Sequence, residues 1–175
     1  MQLADVVKSL FRALVIISAL LIVSSCVADK EEPAWSLQPG DACPDFEITT
    51  NTGLKITSQA LRGKKTLIVF FNTSCSDCQR ELPVIQQIAD ATESDQNVNV
   101  ICIAREETAA SIQAYWAENN LTMPFSPQPD RAIYNLFATS IIPRAYIIDA
   151  TLTVTAVWAE QLPPAQSIID NLIDI

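Results

Sequence analysis

Apolar and polar positions along this chain change period several times, and each change marks an element. "DFEITT" and "LKIT" alternate apolar and polar residues on either side of "NTG", which predicts a β-hairpin between Asp45 and Thr57. "SQALRG" reads as a short helical turn ending at Gly63. The run "TLIVFFN", Thr66 to Asn72, is continuously β-branched and aromatic, as a strand covered on both faces must be. From Ser76 to Ala91 the period lengthens to that of a helix, with Leu82, Ile85, Ile88 and Ala89 on one side. "NVNVICIA", Asn97 to Ala104, predicts a second buried strand. "TAASIQAYWAENN" follows as an amphipathic helix closed by asparagines, and "PDRAIYNLFAT" as a third helical segment. "RAYIIDA" and "TVTAVWAE" read as two strands joined by a tight turn, and "PAQSIIDNLIDI" as a closing helix. This order predicts an α/β domain, a mixed central sheet with helices on both faces and a hairpin in front.

The first 25 residues follow a different rule. Lys8 and Arg12 precede "ALVIISALLIVSS", thirteen uncharged residues from Ala13 to Ser25. That is short of the about 20 residues a membrane-spanning helix needs, but it suits the apolar region of a secretory signal. Val23-Ser24-Ser25-Cys26 resembles a bacterial lipobox, in which small residues admit the signal peptidase and the cysteine takes the lipid. The plainer alternative is a secretory signal with a chance cysteine at its end. "VADKEEPAWSLQPGDACP" is polar, proline-bearing and aperiodic, and reads as a tether into the domain. The chain is therefore divided into a signal peptide over 1–25, a tether over 26–36 and one domain over 37–175. "DKEE" resembles the acidic signal that sends some lipoproteins to the cell surface. A solvated linker is the alternative, so the periplasmic face of the outer membrane and the cell surface both stay open.

Charge and composition narrow the chemistry. Loss of residues 1–25 removes Lys8, Arg12 and Asp5 and leaves nine basic and nineteen acidic side chains, a net charge of -10. Such a surface repels phosphate backbones, so nucleic acid is excluded as a partner. The chain has no histidine, which removes histidine metal ligands, histidine bases and a c-type haem site. With 49% hydrophobic residues the chain can fill a core, which argues against general disorder.

Attention falls on "FFNTSCSDCQRELP", Phe70 to Pro83, where a buried strand runs into C-x-x-C at a helix start. Orphan amides and the macrodipole at a helix N-terminus favour an anion, and the thiolate is the nucleophile of disulfide exchange. Cys75 sits there. Cys78 lies one turn further in, placed to attack a mixed disulfide from within and release the product. Export to an oxidising compartment would let a Cys75–Cys78 disulfide persist. Two other readings compete. Half a zinc site would need a second ligand pair, which Cys43, Cys102 and an absent histidine do not supply, so no metal is expected. Two idle thiols would not stay idle in such a compartment. Cys102, in a buried strand, reads as a small hydrophobe, and Cys43 as a structural residue near the domain start, with a Cys43–Cys102 bridge as the alternative. Tyr115, Trp116, Phe125 and Tyr134 read as packing.

These residues resemble the TlpA-like thiol-disulfide oxidoreductases of the thioredoxin superfamily, over about Leu37 to Ile175. "PGDACPDFEITTNTG" is similar to that family's N-terminal hairpin, "TLIVFFNTSCSDCQRELP" to its strand, active site and helix, and "IIPRAYIID" to its cis-proline loop and following strand. The resemblance implies a thioredoxin-like fold with an N-terminal β-hairpin, and an insertion between the second strand of the sheet and the cis-proline. It implies an enzyme of disulfide reductase or isomerase type that needs no cofactor. Its partners would be protein disulfides of the cell envelope and a membrane electron donor. Cys75 would attack and Cys78 resolve. Glu81 would relay protons as a half-buried carboxylate, or else stand as an ordinary first-turn acid. Pro143, after Ile142, would be cis and shape the substrate groove, or else be a trans proline opening a strand. Pro83 would kink a continuing helix at a cost of about 3 kcal/mol, or else mark its end.

The sequence also departs from that family. Ser74 replaces the common tryptophan, and Ser76-Asp77 stands where a proline is frequent. A carboxylate beside the thiolate disfavours it and favours the disulfide, so a more reducing couple is expected. The usual glycine after "ID" gives way to Ala150 and Thr151. A thiol peroxidase would show P-x-x-x-T-x-x-C, but Ile68 and Asn72 hold the proline and threonine positions. A non-catalytic binding lipoprotein on the same fold is the rival from another class.

Overall fold

The computed structural model describes residues 35–173. The signal segment over 1–25 and the expected lipid-bearing Cys26 lie outside them. In chain order the elements are β1 (Glu47–Thr49), β2 (Lys55–Thr57), a 3-10 turn (Ser58–Leu61), β3 (Lys65–Phe71) and α1 (Ser76–Thr92). Then follow β4 (Val98–Ala104), α2 (Ala109–Glu118), β5 (Phe125–Ser126), α3 (Ala132–Asn135), β6 (Arg144–Ile148), β7 (Val154–Ala159) and α4 (Ala165–Leu172). No helix among the described residues is long and apolar enough to cross a membrane.

The main sheet has the order β5-β4-β3-β6-β7. β3 is parallel to β4 and β4 to β5, while β6 is antiparallel to β3 and to β7. The buried runs read from the sequence occupy its centre: every residue of β6 and all but the first of β3 are buried. Both parallel connections, β3–α1–β4 and β4–α2–β5, step the same way across the sheet, so right-handed crossovers put α1 and α2 on one face. Gln86 of α1 ties them there, since its side-chain oxygen accepts from the amides of Thr122 and Met123 just past α2. Period-2 alternation at the end of β3 then divides the core. Phe71 meets Trp116 of α2, which in turn meets Phe125, while Phe70 meets Tyr134, Phe137 and Tyr146.

Strand β5 had no signal of its own. Two residues between Pro124 and Pro127 carry no period, and Phe125 and Ser126 become a strand only by pairing with Cys102 and Ile103. The tip of the β1–β2 hairpin locks this edge in place. The Asn51 amide donates to the Phe125 carbonyl at 2.7 Å, and the Phe125 amide to Asn51 Oδ1 at 3.0 Å. Gly53 makes that tip possible by adopting φ +82°, a conformation that L side chains rarely take.

The start of the domain is tied down from Trp35 onward. The Trp35 amide donates to Thr139 Oγ1, Ser36 bridges Ala138, and the amides of Leu37, Gly40 and Cys43 reach Phe137, Val154 and Leu152. The last residues of the expected tether, Trp35 and Ser36, thus already pair with the domain. At the β6–β7 turn, Leu152 takes the left-handed conformation, φ 69°, that a glycine would take more cheaply. Asp149 Oδ1 holds the turn by accepting from the amides of Thr151 and Thr153.

Candidate active site

The central strand β3 hands the chain at its C-terminal end to the turn Asn72–Cys75. Hydrogen bonds from three sides fix this turn. Asn72 Oδ1 accepts from the Ser74 amide at 2.8 Å, and Asn72 Nδ2 donates to the Arg105 carbonyl at 3.0 Å. Gln79 Nε2 donates to the Thr73 carbonyl at 2.7 Å. The Thr73 amide and hydroxyl both donate to the carboxylate of Glu107, which also accepts from Ser111 Oγ. Glu107 is buried, so it spends its acceptors on donors that hold the loop.

Cys75 is the N-cap residue of α1, with an extended backbone, and its own side chain makes no capping bond. It is half-buried, whereas Cys78, one turn along, is fully buried. Neither forms a disulfide here. Burial pushes the Cys78 thiol well above its ordinary range, and the neighbouring Cys75 adds to the rise. The backbone at Asn72 and the positive charge of Arg105 act in the opposite direction. The outer sulfur is therefore accessible, while the inner one is held as a thiol until something draws its proton away.

Across from Cys75 lies the loop before β6. The Ile142–Pro143 bond is cis, and Cys75 Sγ stands 3.6 Å from the Ile142 carbonyl oxygen. Tyr134 fastens this loop by donating its hydroxyl to the Ser140 and Ile141 carbonyls. Ile141 is 41% exposed and has φ 68°, an uncommon conformation for a β-branched residue.

Helix α1 continues through Pro83, so the helix does not stop at Leu82. Glu81 is more buried than expected, at 4% exposure, on the face of α1 shared with Cys78 three residues earlier. Its carboxylate meets Arg80 Nε at 3.1 Å. The same guanidinium reaches Asp77 at 2.8 Å and the Glu160 carbonyl at 3.0 Å. The Asp77 carboxylate next to Cys75 is thus partnered at the surface, which weakens the expectation of a more reducing couple drawn from its charge.

Cys43 and Cys102 stand apart from this site and are unpaired. Cys102 contacts the Met123 sulfur at 3.6 Å, and burial raises its thiol to about 12. Cys43 rises to about 11, chiefly by burial and then by the charge of Asp45. Sequence reasoning missed Asn72, Gln79, Arg105 and Glu107. The signal for the last two was "REET" directly after a buried strand, charged residues where the chain turns back toward the cysteines.

Residues 39–157 match the model of the AhpC/TSA family. The thiol-disulfide oxidoreductase ResA of Bacillus thuringiensis (strain Al Hakam) is 26% identical over 151 residues, 81% of this chain and 82% of that protein. Among solved structures, a candidate protein disulfide isomerase from Bacteroides thetaiotaomicron superposes with a TM-score of 0.72 at 24% identity, covering 78% of this chain and 91% of that one. A thiol:disulfide interchange protein of the thioredoxin family from Chlorobium tepidum superposes with a TM-score of 0.65 at 22% identity, covering 79% and 99%. The fold is thioredoxin-like.

Proposed function

The chain belongs to the AhpC/TSA family, and from that premise we propose that it is a thiol-disulfide oxidoreductase working through Cys75 and Cys78. One observation carries this reading: a half-buried cysteine at a helix start, 3.6 Å from a carbonyl of the proline loop, is backed one turn deeper by a buried one. The Cys75 thiolate attacks one sulfur of a substrate disulfide, forming a mixed disulfide, and the other substrate sulfur leaves and takes a proton. Cys78 then gives up its proton and attacks Cys75 Sγ, and the second substrate thiol departs. The substrate gains two electrons and two protons, and the protein is left with a Cys75–Cys78 disulfide. Ile142 and Pro143 line the groove in which an extended substrate segment lies beside Cys75. A membrane electron donor restores the dithiol.

The proposed setting is the cell envelope, with the protein lipid-anchored through Cys26 and acting on disulfides of envelope proteins. The apolar run before Cys26 and the tether after it support that setting. Within the family, Ile68 and Asn72 in place of proline and threonine favour disulfide exchange over peroxide reduction. A redox titration against glutathione tests the reading. The protein is expected to titrate as a single two-electron couple involving Cys75 and Cys78, and to reduce insulin catalytically. Loss of both thiols to peroxide faster than to disulfide would overturn it.

Glu81 is the proposed acceptor of the Cys78 proton. Glu81→Gln keeps the shape and the hydrogen-bonding capacity but removes the base, and should slow the resolving step by roughly 10–100-fold. Stopped-flow release of a chromophoric thiol from the mixed disulfide measures it. An unchanged rate leaves Glu81 as a structural partner of Arg80.

A further inference from the structure

Strand β4 is only half covered on its outer edge. The Lys65 amide donates to the Asn97 carbonyl at 2.8 Å, and the Arg105 amide to the Phe71 carbonyl at 2.8 Å. Backbone groups alternate sides along a parallel ladder, so the odd-numbered residues of β4 face β3 and the even-numbered ones face away. Strand β5 meets that outer edge only at Cys102 and Ile103. Before Cys102, no residue of β4 has a strand partner there among the described residues. The chain approaching β5 is diverted, because the Thr122 and Met123 amides are bound to Gln86 of α1 instead. The Val98 amide turns back to the Asp95 carbonyl at 3.2 Å, which leaves the Val98 carbonyl and both backbone groups of Val100 open.

A cleft lies on each side of this edge. One, of about 610 Å³, faces the β1–β2 hairpin, and its walls include Leu54, Ile56, Leu61 and Ile101. The other, of about 200 Å³, faces α1. Val98, Val100, Thr122 and Pro124 border both. Alternation along β4 puts Val98 and Val100 on the α1 face, with Phe71, and Asn99 and Ile101 on the hairpin face, with Phe70. The clefts differ in charge. The hairpin-side lining carries Lys55 and Lys64 and no carboxylate; Lys55 is bound to Glu47 at 2.8 Å, while Lys64 has no ion pair among the described residues. The α1-side lining carries Asp90 and Glu93 and no cation. A second copy paired edge to edge about a two-fold axis would set Asp90 and Glu93 against their own images, in a chain already at net charge -9. Open backbone groups flanked by clefts on alternate faces are what an added strand of another sequence uses.

We propose that the edge of β4 from Val98 to Ile101 docks an extended polypeptide segment of a partner protein, which joins the sheet as an antiparallel edge strand. Val100 exchanges both backbone hydrogen bonds with the residue opposite it. That residue shares the α1 face with Val100, so a lysine or arginine there meets Asp90 and Glu93. Its two neighbours point into the hairpin-side cleft and are apolar. An acidic residue nearer the segment's C-terminus, on the hairpin side, meets Lys64, which sits at the Val98 end because Lys65 pairs with Val98. Val100 stands four residues before Ala104, on the order of 13 Å along the strand, so a docked segment leaves the cysteines free. This surface is independent of the exchange reading of Cys75 and Cys78.

The test titrates the full chain with the capped peptide Thr-Leu-Lys-Leu-Lys-Glu-Thr, labelled for fluorescence anisotropy, and follows hydrogen exchange along β4. Saturable binding is expected, with the Val100 amide protected about tenfold or more. Methylating the backbone nitrogens of both lysines removes the edge bonds and should weaken binding about tenfold or more, whereas methylating those of both leucines, which face away from β4, should change it less than about twofold. Reversing the charges, in Thr-Leu-Glu-Leu-Glu-Lys-Thr, should weaken binding about tenfold, and Glu93→Lys should recover part of that loss. Leu54→Asp, at an exposed position of the cleft wall, should weaken the first peptide about tenfold. Absence of saturation, equal losses from the two methylations, or protection confined to residues outside 98–101 would overturn the proposal. Displacement of the peptide by less dodecanoate than unlabelled peptide would overturn it too, by assigning the cleft to an acyl chain. A concentration-dependent dimer that protects the Val100 amide without peptide would overturn it by assigning the edge to a second copy. The methylated peptides need no protein variant, so they still decide the matter where Leu54→Asp fails to fold.

Discussion

Replacing Cys75 by serine is expected to end disulfide exchange, and replacing Cys78 by serine to arrest it one step later. Serine preserves the shape of either side chain, but at neutral pH its hydroxyl is not a usable nucleophile toward sulfur. The first variant should therefore lose roughly three orders of magnitude or more in insulin reduction, down to background. The second should attack normally and then stop, because the buried position holds no thiol to displace the substrate. Its product is a covalent adduct through Cys75, visible by mass spectrometry and on non-reducing gels and reversed by dithiothreitol. The asymmetry is the informative part. Cys75 is half-buried beside the Ile142 carbonyl, whereas Cys78 has no exposed surface. Equal adduct formation by both single variants would mean that either sulfur can reach a substrate, and equal activity of Cys75→Ser and the native protein would remove the enzymatic proposal.

The elements most legible in the sequence were those whose burial is uniform or whose turn chemistry is local. A run such as "TLIVFFN" has few structures open to it in water, and "NTG" between alternating strands names its own turn. The positions of Cys75 and Cys78 followed from the same logic, since the end of a buried strand and the start of a helix meet there. What stayed hidden depends on partners distant in sequence. Phe125 and Ser126 are a strand only because β4 has an open edge at Cys102 and Ile103. Glu107 holds the active-site turn from 34 residues away, through Thr73. Asp77 stands in the sequence as an uncompensated charge, but Arg80 folds back on it. In each case local sequence fixes which groups are present, and tertiary contact decides whether their charge and hydrogen bonds are already satisfied.

The same distant contacts explain why the second large effect is expected at a residue that touches no substrate. Phe70→Ala should lower the unfolding free energy by about 3–5 kcal/mol, the range for deleting a fully buried aromatic ring. Domains of this kind have only about 5–15 kcal/mol in total, so the variant should be visibly less stable in urea. Phe70 has no exposed surface, and its ring meets Phe137 at 5.0 Å, Tyr134 at 5.3 Å and Tyr146 at 6.2 Å. Neither tyrosine can fill the space without giving up a bond of its own. Tyr134 is tied to the Ser140 and Ile141 carbonyls, and Tyr146 donates to the Phe137 carbonyl. A collapse of Tyr134 into the gap would pull on the loop that ends at Ile142, so exchange should weaken beyond the fraction unfolded. Tyr134→Phe separates the two effects: it keeps the ring in contact with Phe70 and removes only the hydroxyl, at a cost of about 1 kcal/mol. Urea midpoints, and insulin reduction measured well below them, distinguish the cases. A Phe70→Ala protein with native activity per folded molecule would show that the aromatic cluster supports the sheet but not the groove.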